Sequence, residues 1–320
     1  MQLVEESRYL LLSHPMKRLD FFARRLAALI AAPYYYLKFR WARPKEKLGK
    51  RYYASICAIF RDESPYLRQW IEYHLIVGFE HFYLYNNFSE DDYGTVLKGY
   101  IDNGVVTLID WPIKQGQMAA FKDCANRFAS ETQWIAFIDL DEYVVPNHYD
   151  NICDFLRPFE LKRPVIIGYW RYFGSSGRVS RDVNGLIIED FVVCWKKYSA
   201  IGKCFFNTSY EYLDNYRGGY MHEMWARRRG VYLPPVNCFG RPCVFGVHSV
   251  PTDDLPVQIN HYLLKSYEEY IGRKSRRGGG VHDQGFHNMD YYWGHEYKSQ
   301  EIDVHAYKYL VELKLRLEMK

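Results

Sequence analysis

The fold is decided by a buried strand that ends in carboxylates, Trp134-Ile135-Ala136-Phe137-Ile138-Asp139-Leu140-Asp141-Glu142. Five consecutive apolar residues predict a strand covered on both faces, as in a parallel sheet. Because side chains alternate along an extended chain, Asp139 and Asp141 are expected on one side of the backbone where it leaves the sheet. Paired carboxylate oxygens there suit Mg²⁺ or Mn²⁺. A bare Asp-x-Asp pair also occurs in turns and helix caps, so its position in the sheet decides its meaning.

Three strand-then-helix units precede this strand. Strands are predicted over residues 54–60, 82–85 and 105–109, and Gly78 and Gly104 end the first two helices. This alternation predicts an α/β fold that begins with a parallel, doubly wound sheet, in which ligands bind beyond the carboxyl ends of the strands. Three polar clusters fall at those ends, namely Arg61-Asp62-Glu63, residues 86–92 and residues 139–142.

The second half of the chain has a less regular pattern. A strand is predicted over residues 165–172, short strands and loops over 180–260, and helices over 262–273 and 305–319. A basic Gly-rich loop is expected at residues 276–280.

Charge is distributed unevenly along the chain. The net charge is +4, but residues 1–51 hold 12 Lys and Arg against 4 Asp and Glu, and the remainder holds 30 against 34. Within that arm, apolar and aromatic residues alternate with Arg and Lys, and its charges and Pro33 argue against a membrane-spanning helix. Two interpretations stay open: an in-plane contact with an anionic membrane surface, or a helix docked on the domain with solvated charges.

Several classes of protein are disfavoured. The seven Cys lack zinc-site spacing and are interpreted as reduced thiols. No cleavable signal peptide is recognised, so we expect a cytoplasmic location, with peripheral contact at the inner membrane face. The chain has no Gly-rich dinucleotide fingerprint and no phosphate loop, which argues against an oxidoreductase or a P-loop kinase. A diphosphate would then be held by a metal ion and side chains.

An ordered set of motifs carries a family resemblance. The motifs are Ile59-Phe60-Arg61-Asp62-Glu63, Trp70-Ile71-Glu72-Tyr73-His74 with Gly78, Tyr85-Asn86-Asn87, Gln117, Ile138-Asp139-Leu140-Asp141-Glu142-Tyr143, residues 170–177, Lys203 and residues 260–266. Over Tyr52 to Lys274 the chain resembles glycosyltransferase family 92 and its family 2-like bacterial relatives. The resemblance implies a GT-A fold, Rossmann-like with a mixed central sheet, and inversion at the anomeric carbon. It also implies Mn²⁺ or Mg²⁺ and a UDP-sugar donor such as UDP-galactose.

The resemblance also implies roles for individual residues. Those expected near the nucleotide or its phosphates are Arg61, Asp62, Glu63, Asn86, Asp91, Gln117, Asp139, Lys203 and Lys265. Asp141 is the expected direct metal ligand, Asp139 faces the ribose or the metal, and His261, or else His248, completes the metal shell.

Inverting transfer needs a base for the attacking hydroxyl. Our candidates are Glu189 and Asp190, with Asp283 and Glu223 as alternatives. Stacking of an acceptor sugar would use aromatic rings, for which the candidates are Trp170, Tyr172, Trp195 and Trp225.

The resulting expectation is a metal-dependent hexosyltransferase with four parts. These are a basic arm (1–51), a nucleotide-sugar half (52–145), an acceptor half (146–300) and a closing amphipathic helix (301–320). The acceptor would be a glycan or a lipid-linked glycan, and nucleic acid is not an expected partner. The alternatives are a metal-dependent nucleotidyltransferase, which would carry a Gly-rich basic signature near the first strand, and a non-catalytic carbohydrate-binding protein of the same fold.

Overall fold

A computed structural model describes residues 15–46, 49–182, 184–199, 201–213, 222–245, 254–274 and 287–319. The strands are β1 Tyr52–Phe60, β2 His81–Asn86, β3 Val106–Asp110, β4 Thr132–Phe137, β5 Glu142–Val145, β6 Val165–Tyr172, β7 Val193–Trp195, β8 Gly202–Asn207, β9 Glu211–Leu213, β10 Trp225–Arg228, β11 Val231–Leu233, β12 Val236–Asn237, β13 Gln258–His261 and β14 Ser299–Ile302. The helices are α1 Pro15–Ala42, α2 Ser64–Val77, α3 Tyr93–Asp102, α4 Gln117–Arg127, α5 Ile152–Leu156, α6 Ile187–Asp190, α7 Tyr267–Glu269, α8 Met289–Glu296 and α9 Leu310–Arg316. Turns of 3₁₀ helix lie at Arg157–Phe159 and His305–Tyr309, and a turn of π helix lies at Tyr270–Lys274.

One large sheet organises the described part of the chain. Its strands run in the order β3-β2-β1-β4-β8-β6-β13-β5, and β12 pairs with β6 outside this path. The first four strands are parallel, since β1 pairs in parallel with β2 and β4, and β2 with β3. Beyond β4 the sheet is mixed, because β8 is antiparallel to both β4 and β6. The predicted α/β class with a mixed central sheet is confirmed.

The buried strands form the core, and α2 fastens the short strand β5 to it. Pro65 lies in the first turn of α2, and Gly78 ends the helix in the left-handed region at φ 104°. On the buried face of α2, Trp70 Nε1 donates to the Glu142 carbonyl (2.9 Å), and Tyr73 Oη donates to the Val144 carbonyl (3.0 Å). These bonds satisfy the edge of β5 that faces away from β13. The helix thereby fixes the strand that begins with Glu142.

Two of the predicted helices differ in the structure. The segment predicted as a helix over 262–273 begins as a loop directly after β13, and its helical part starts only after Ser266, which makes a capping box with Glu269. The closing helix predicted over 305–319 is divided into a 3₁₀ turn and the shorter α9. The predicted Gly-rich loop at 276–280 lies outside the described residues.

Helix α1 precedes the large sheet and packs against a separate three-stranded sheet of order β11-β10-β9. Tyr35, Phe39 and Ala42 are buried, and the Tyr35 ring meets the Trp225 ring edge-on at 6.3 Å. Across the described ranges, none of the helices combines the length and the apolarity that a membrane crossing requires.

Candidate active site

Three potential ligand groups converge where β5 and β13 lie side by side. The ligand atoms of Asp141, Glu142 and His261 all lie within 4.8 Å of one another. The cause is strand register, because antiparallel pairing places His261 opposite Glu142, and the Tyr262 N–H donates to the Asp141 carbonyl (2.8 Å). His261 Nε2 lies 3.5 Å from Asp141 Oδ1. Carboxylate oxygens and one imidazole form a donor set suited to Mn²⁺.

Asp139 faces a different set of partners. Its Oδ1 accepts from Gln117 Nε2 (2.7 Å), and its Oδ2 pairs with Lys203 Nζ (2.6 Å). The expected alternation that would put Asp139 and Asp141 on one side is broken by a turn at residues 140–141, which the Glu142 N–H closes onto the Asp139 carbonyl (3.1 Å). The structure therefore gathers Asp141 and His261 with Glu142, and Asp139 with Gln117 and Lys203.

Lys203 is the buried cation of this site. Its Nζ also lies 3.6 Å from Glu142 Oε1. Burial alone would lower the pKa of Lys203, but Asp139, Glu142 and Asp141 outweigh it and raise that pKa. Burial raises the pKa of Glu142 well above its ordinary range, which Lys203 opposes and the two Asp charges reinforce. Three carboxylates thus share one ammonium group, so a divalent cation would relieve their repulsion and the residues present fit such an ion.

Aromatic rings pack against the imidazole of His261. Its ring lies 4.8 Å from the Trp170 ring and 5.2 Å from the Tyr172 ring, measured between centroids. Trp170 also contacts His222, whose Nδ1 bonds to the Gly202 carbonyl (2.6 Å). Burial first, and then the charge of Lys203, lower the pKa of His222 to about 4. His222 is thus a neutral neighbour of the site, which the sequence patterns do not single out.

The predicted acceptor platform is contradicted by burial. Trp170, Tyr172, Trp195 and Trp225 are between 1% and 8% exposed, and stacking on a sugar requires an open ring face. An exposed pair lies instead on and just after α8: Trp293 is 41% exposed and stacks on Tyr297, which is 70% exposed, at 5.7 Å and 22°. The four-residue spacing of these rings on a helix is visible in the sequence.

A second charged cluster surrounds Tyr66 at the end of β1. Lys265 Nζ lies 3.3 Å from the Tyr66 ring centroid, and the Arg273 guanidinium lies 5.0 Å from it. Both cations pair with Glu63, at 3.8 Å for Lys265 and 3.1 Å for Arg273. Burial lowers the pKa of Lys265 to about 8. Of these residues, Glu63 and Lys265 were predicted and Arg273 was not.

The remaining predicted nucleotide residues shape the loop after β2. Arg61 is exposed and lies 3.8 Å from Asp62 Oδ2, and Asp62 Oδ1 accepts from the Glu90 N–H (2.7 Å). Asn86 accepts from the Ser89 N–H (3.1 Å). Asp91 Oδ2 accepts from the Ser64 N–H (2.7 Å) at the start of α2. Asn86 and Asp91 thus form hydrogen bonds with neighbouring chain segments.

The two predicted base candidates lie together on α6. Asp190 forms ion pairs with Arg178 (2.9 Å) and Arg181 (3.4 Å), and burial raises its pKa despite both arginines. Glu189 pairs with Lys314 (2.6 Å) on α9. The structure does not gather either carboxylate with the Asp141 group. Of the alternatives, Glu223 is half-buried just before β10, whereas His248 and Asp283 lie outside the described residues.

Ion pairs nevertheless connect Asp190 to the charged cluster that surrounds Tyr66. Arg181 also pairs with Glu269 (3.5 Å), and Glu269 accepts a short hydrogen bond from the Tyr66 hydroxyl. The Arg181 guanidinium lies 5.2 Å from the Tyr66 ring. Arg181 therefore links Asp190 directly to the surroundings of Tyr66.

Solved structures give only weak matches. The TarS protein of S. aureus, residues 1–349, gives a TM-score of 0.35 at 13% identity over 49% of this chain and 47% of that chain. Glucosyl-3-phosphoglycerate synthase from Mycobacterium tuberculosis gives 0.28 at 15% identity over 41% and 50%. At these scores the likeness supports no conclusion about ligands.

Sequence relatives give a more specific result. A protein of glycosyltransferase family 92 from Oryza sativa subsp. japonica is 32% identical over 140 residues, which are 43% of this chain and 24% of that protein. The β-1,4-galactosyltransferase galt-1 of Caenorhabditis elegans is 36% identical over 110 residues, or 30% of this chain and 26% of that protein. The matches thus span about a quarter of these curated relatives.

The family model for glycosyltransferase family 92 matches residues 50–215. These are 166 of the 320 residues, and they include Glu63, Tyr66, the Asp139 to Glu142 turn and Lys203. Because the match covers more than half of the sequence, the chain belongs to glycosyltransferase family 92.

Proposed function

We propose that this protein is a metal-dependent, inverting glycosyltransferase that moves a hexose from a UDP-sugar to a hydroxyl of a glycan or lipid-linked glycan. The proposal depends on one observation: Asp141, Glu142 and His261 converge at the carboxyl ends of β4 and β13. Ligands of such sheets bind at this edge. Family membership supports the reaction class.

The proposed metal site uses the three converging residues. Asp141, Glu142 and His261 would hold Mn²⁺ or Mg²⁺, and the bound ion would neutralise charge that develops on the departing diphosphate. Lys203 keeps Asp139 in place through its 2.6 Å ion pair, and Gln117 holds the other oxygen of the same carboxylate. This leaves Asp139 oriented for a ribose or metal-bound water contact.

The proposed donor site extends along the end of β1. Arg61, Asp62 and Glu63 form its nucleotide side, beside the loop that Asn86 and Asp91 shape. Lys265 and Arg273 are the cations closest to Glu63, so they are the groups proposed to meet the phosphates. Their present pairing with Glu63 would be exchanged for pairing with a diphosphate, which is an anion of higher charge.

Asp190 is the proposed base. Inverting transfer requires that the acceptor hydroxyl lose its proton as its oxygen bonds to the anomeric carbon and the bond from that carbon to UDP breaks. A raised pKa makes a carboxylate a stronger base, and burial raises the pKa of Asp190. Asp190 is also less exposed than Glu189, at 12% against 39%, which favours Asp190 of the two.

The donor and acceptor are assigned by class. Galactose is the proposed sugar because the relative galt-1 is named a β-1,4-galactosyltransferase. For the acceptor, Trp293 and Tyr297 offer an exposed stacked pair that suits the face of a sugar ring. The site of action proposed is the cytoplasmic face of a membrane, as expected from the sequence.

A nucleotide-release assay tests the proposal. UDP would be measured with UDP-galactose, UDP-glucose and UDP-N-acetylglucosamine, each with Mn²⁺ or with a chelator. We expect Mn²⁺-dependent release from one donor and a loss of about 100-fold or more in Asp141→Asn. Asp102→Asn is the matched control, because Asp102 is exposed and forms a surface ion pair with Lys98. Release that is equal with chelator and metal would overturn the metal role.

A further inference from the structure

Helix α1 carries two apolar faces, and the domain covers one of them. The covered face includes Tyr35 and Phe39, which are 7% and 1% exposed. The Arg163 guanidinium lies 4.8 Å from the Phe39 ring, and the Tyr35 ring meets Trp225. This face anchors the helix to the domain.

The second apolar face is open to solvent. Its residues are 59% to 71% exposed, namely Leu19, Leu26, Leu29, Ile30, Leu37 and Trp41. At about 100° per residue, these side chains form one stripe that lies roughly 180° from Tyr35 and Phe39 around the helix. The domain cannot cover a stripe that points directly away from it. The helix is thus docked on the domain, as one of the two interpretations expected, and it also carries an apolar stripe on its outer face.

The charge of α1 indicates what covers the open stripe. The helix contains six basic residues and a single acidic residue, Asp20, which pairs with Arg24 at 2.9 Å. A second copy would bring two strongly basic helices together, so like-charge repulsion disfavours self-association. An anionic surface is complementary to the same charge. Tyr34 and Trp41, both exposed, are the residue types enriched at membrane interfaces.

We propose that α1 lies in the plane of an anionic membrane, with the stripe from Leu19 to Trp41 inserted and the Tyr35 face holding the domain. An amphipathic helix with a basic flank binds such surfaces through apolar burial and electrostatic attraction together. The proposal goes beyond the proposed function and does not depend on it, since an inactive variant such as Asp141→Asn should bind membranes equally.

Vesicle flotation tests the proposal. The full chain would be mixed with vesicles of phosphatidylcholine containing about a quarter phosphatidylglycerol, or of phosphatidylcholine alone. Leu26→Glu/Ile30→Glu removes two stripe residues one helical turn apart. Val311→Glu/Leu315→Glu is the matched control, because it makes the same charge change at two exposed apolar positions of α9, each 72% exposed. Circular dichroism and thermal melting check that both variants fold.

We expect the wild-type protein to bind the anionic vesicles, and this binding should weaken as salt is added. In Leu26→Glu/Ile30→Glu the binding should fall by about tenfold or more, because two inserted apolar side chains are lost. The control variant should show only the smaller decrease that its two added negative charges cause. Equal losses in both variants would overturn the proposal, as would wild-type protein that does not float. The oligomeric state of the same proteins without vesicles would be measured by light scattering. A dimer that only Leu26→Glu/Ile30→Glu abolishes would also overturn the proposal, because the stripe would then be a self-association surface.

Discussion

Replacing Lys203 with Met tests the charge balance of the site. The Lys203 side chain is 1% exposed, and its Nζ lies 2.6 Å from Asp139 and 3.6 Å from Glu142. Met fills a similar volume without charge, so it leaves the carboxylates without their ammonium partner in a buried place. Removing one partner of a buried ion pair costs about 3–5 kcal/mol of folding free energy. We therefore expect Lys203→Met to lose about this amount.

Urea unfolding with and without Mn²⁺ measures the effect. Lys196→Met is the matched control, because Lys196 is 73% exposed and its distance to Glu301 is 3.8 Å, so its loss should be below about 1 kcal/mol. Added Mn²⁺ should raise the stability of Lys203→Met more than that of wild type, since the variant site has one more uncompensated negative charge. A loss below about 1 kcal/mol in Lys203→Met, with no response to Mn²⁺, would refute the reasoning.

Three further predictions concern the base, the core and the acceptor. Asp190→Asn should lower kcat about 100-fold to 10,000-fold in steady-state assays while UDP affinity by calorimetry is unchanged, whereas Glu189→Gln should lose less than about tenfold. Burial lowers the pKa of the His74 imidazole from its ordinary value of 6.5 to about 3. The folding stability that neutral His74 contributes is therefore fully present above pH 6.5 and is lost as the pH falls toward 3, by about 2 kcal/mol at pH 5. Unfolding curves of His74→Gln should lack this loss. Trp293→Ala should raise KM for the acceptor about tenfold with kcat unchanged, and Trp293→Phe should restore most of it; an equal fall in kcat for both variants would argue against stacking.

The parallel half of the fold could be predicted because its signals are local. The apolar runs of β1, β2 and β4 are largely buried strands, β3 forms the half-buried edge of the sheet, and the glycine that ends α2 adopts the left-handed conformation. The second half depends on pairing between distant segments, such as β13 with β5 and β6. The local pattern of residues 258–261 does not predict which strands they pair with. The helix predicted from Tyr262 therefore starts only after Ser266, because the chain first leaves β13 at His261 through a loop.

The candidate site was predictable only in part, for the same reason. Asp141 and His261 were expected from the family resemblance, but Glu142 enters the group because a turn interrupts the alternation assumed after β4. Aromatic residues show a similar limit. Composition cannot separate a ring that packs beneath a histidine, such as Trp170, from one that is open to solvent, such as Trp293.

Asp141, Glu142 and His261 are proposed to bind one divalent cation together with a uridine diphosphate. Electron paramagnetic resonance of free Mn²⁺, titrated with protein in the presence of UDP, measures this binding without any acceptor. We predict one ion per wild-type chain and an affinity at least about 100-fold weaker in Asp141→Asn, in line with the loss of a metal ligand. Equal Mn²⁺ binding by wild type and Asp141→Asn would contradict the account.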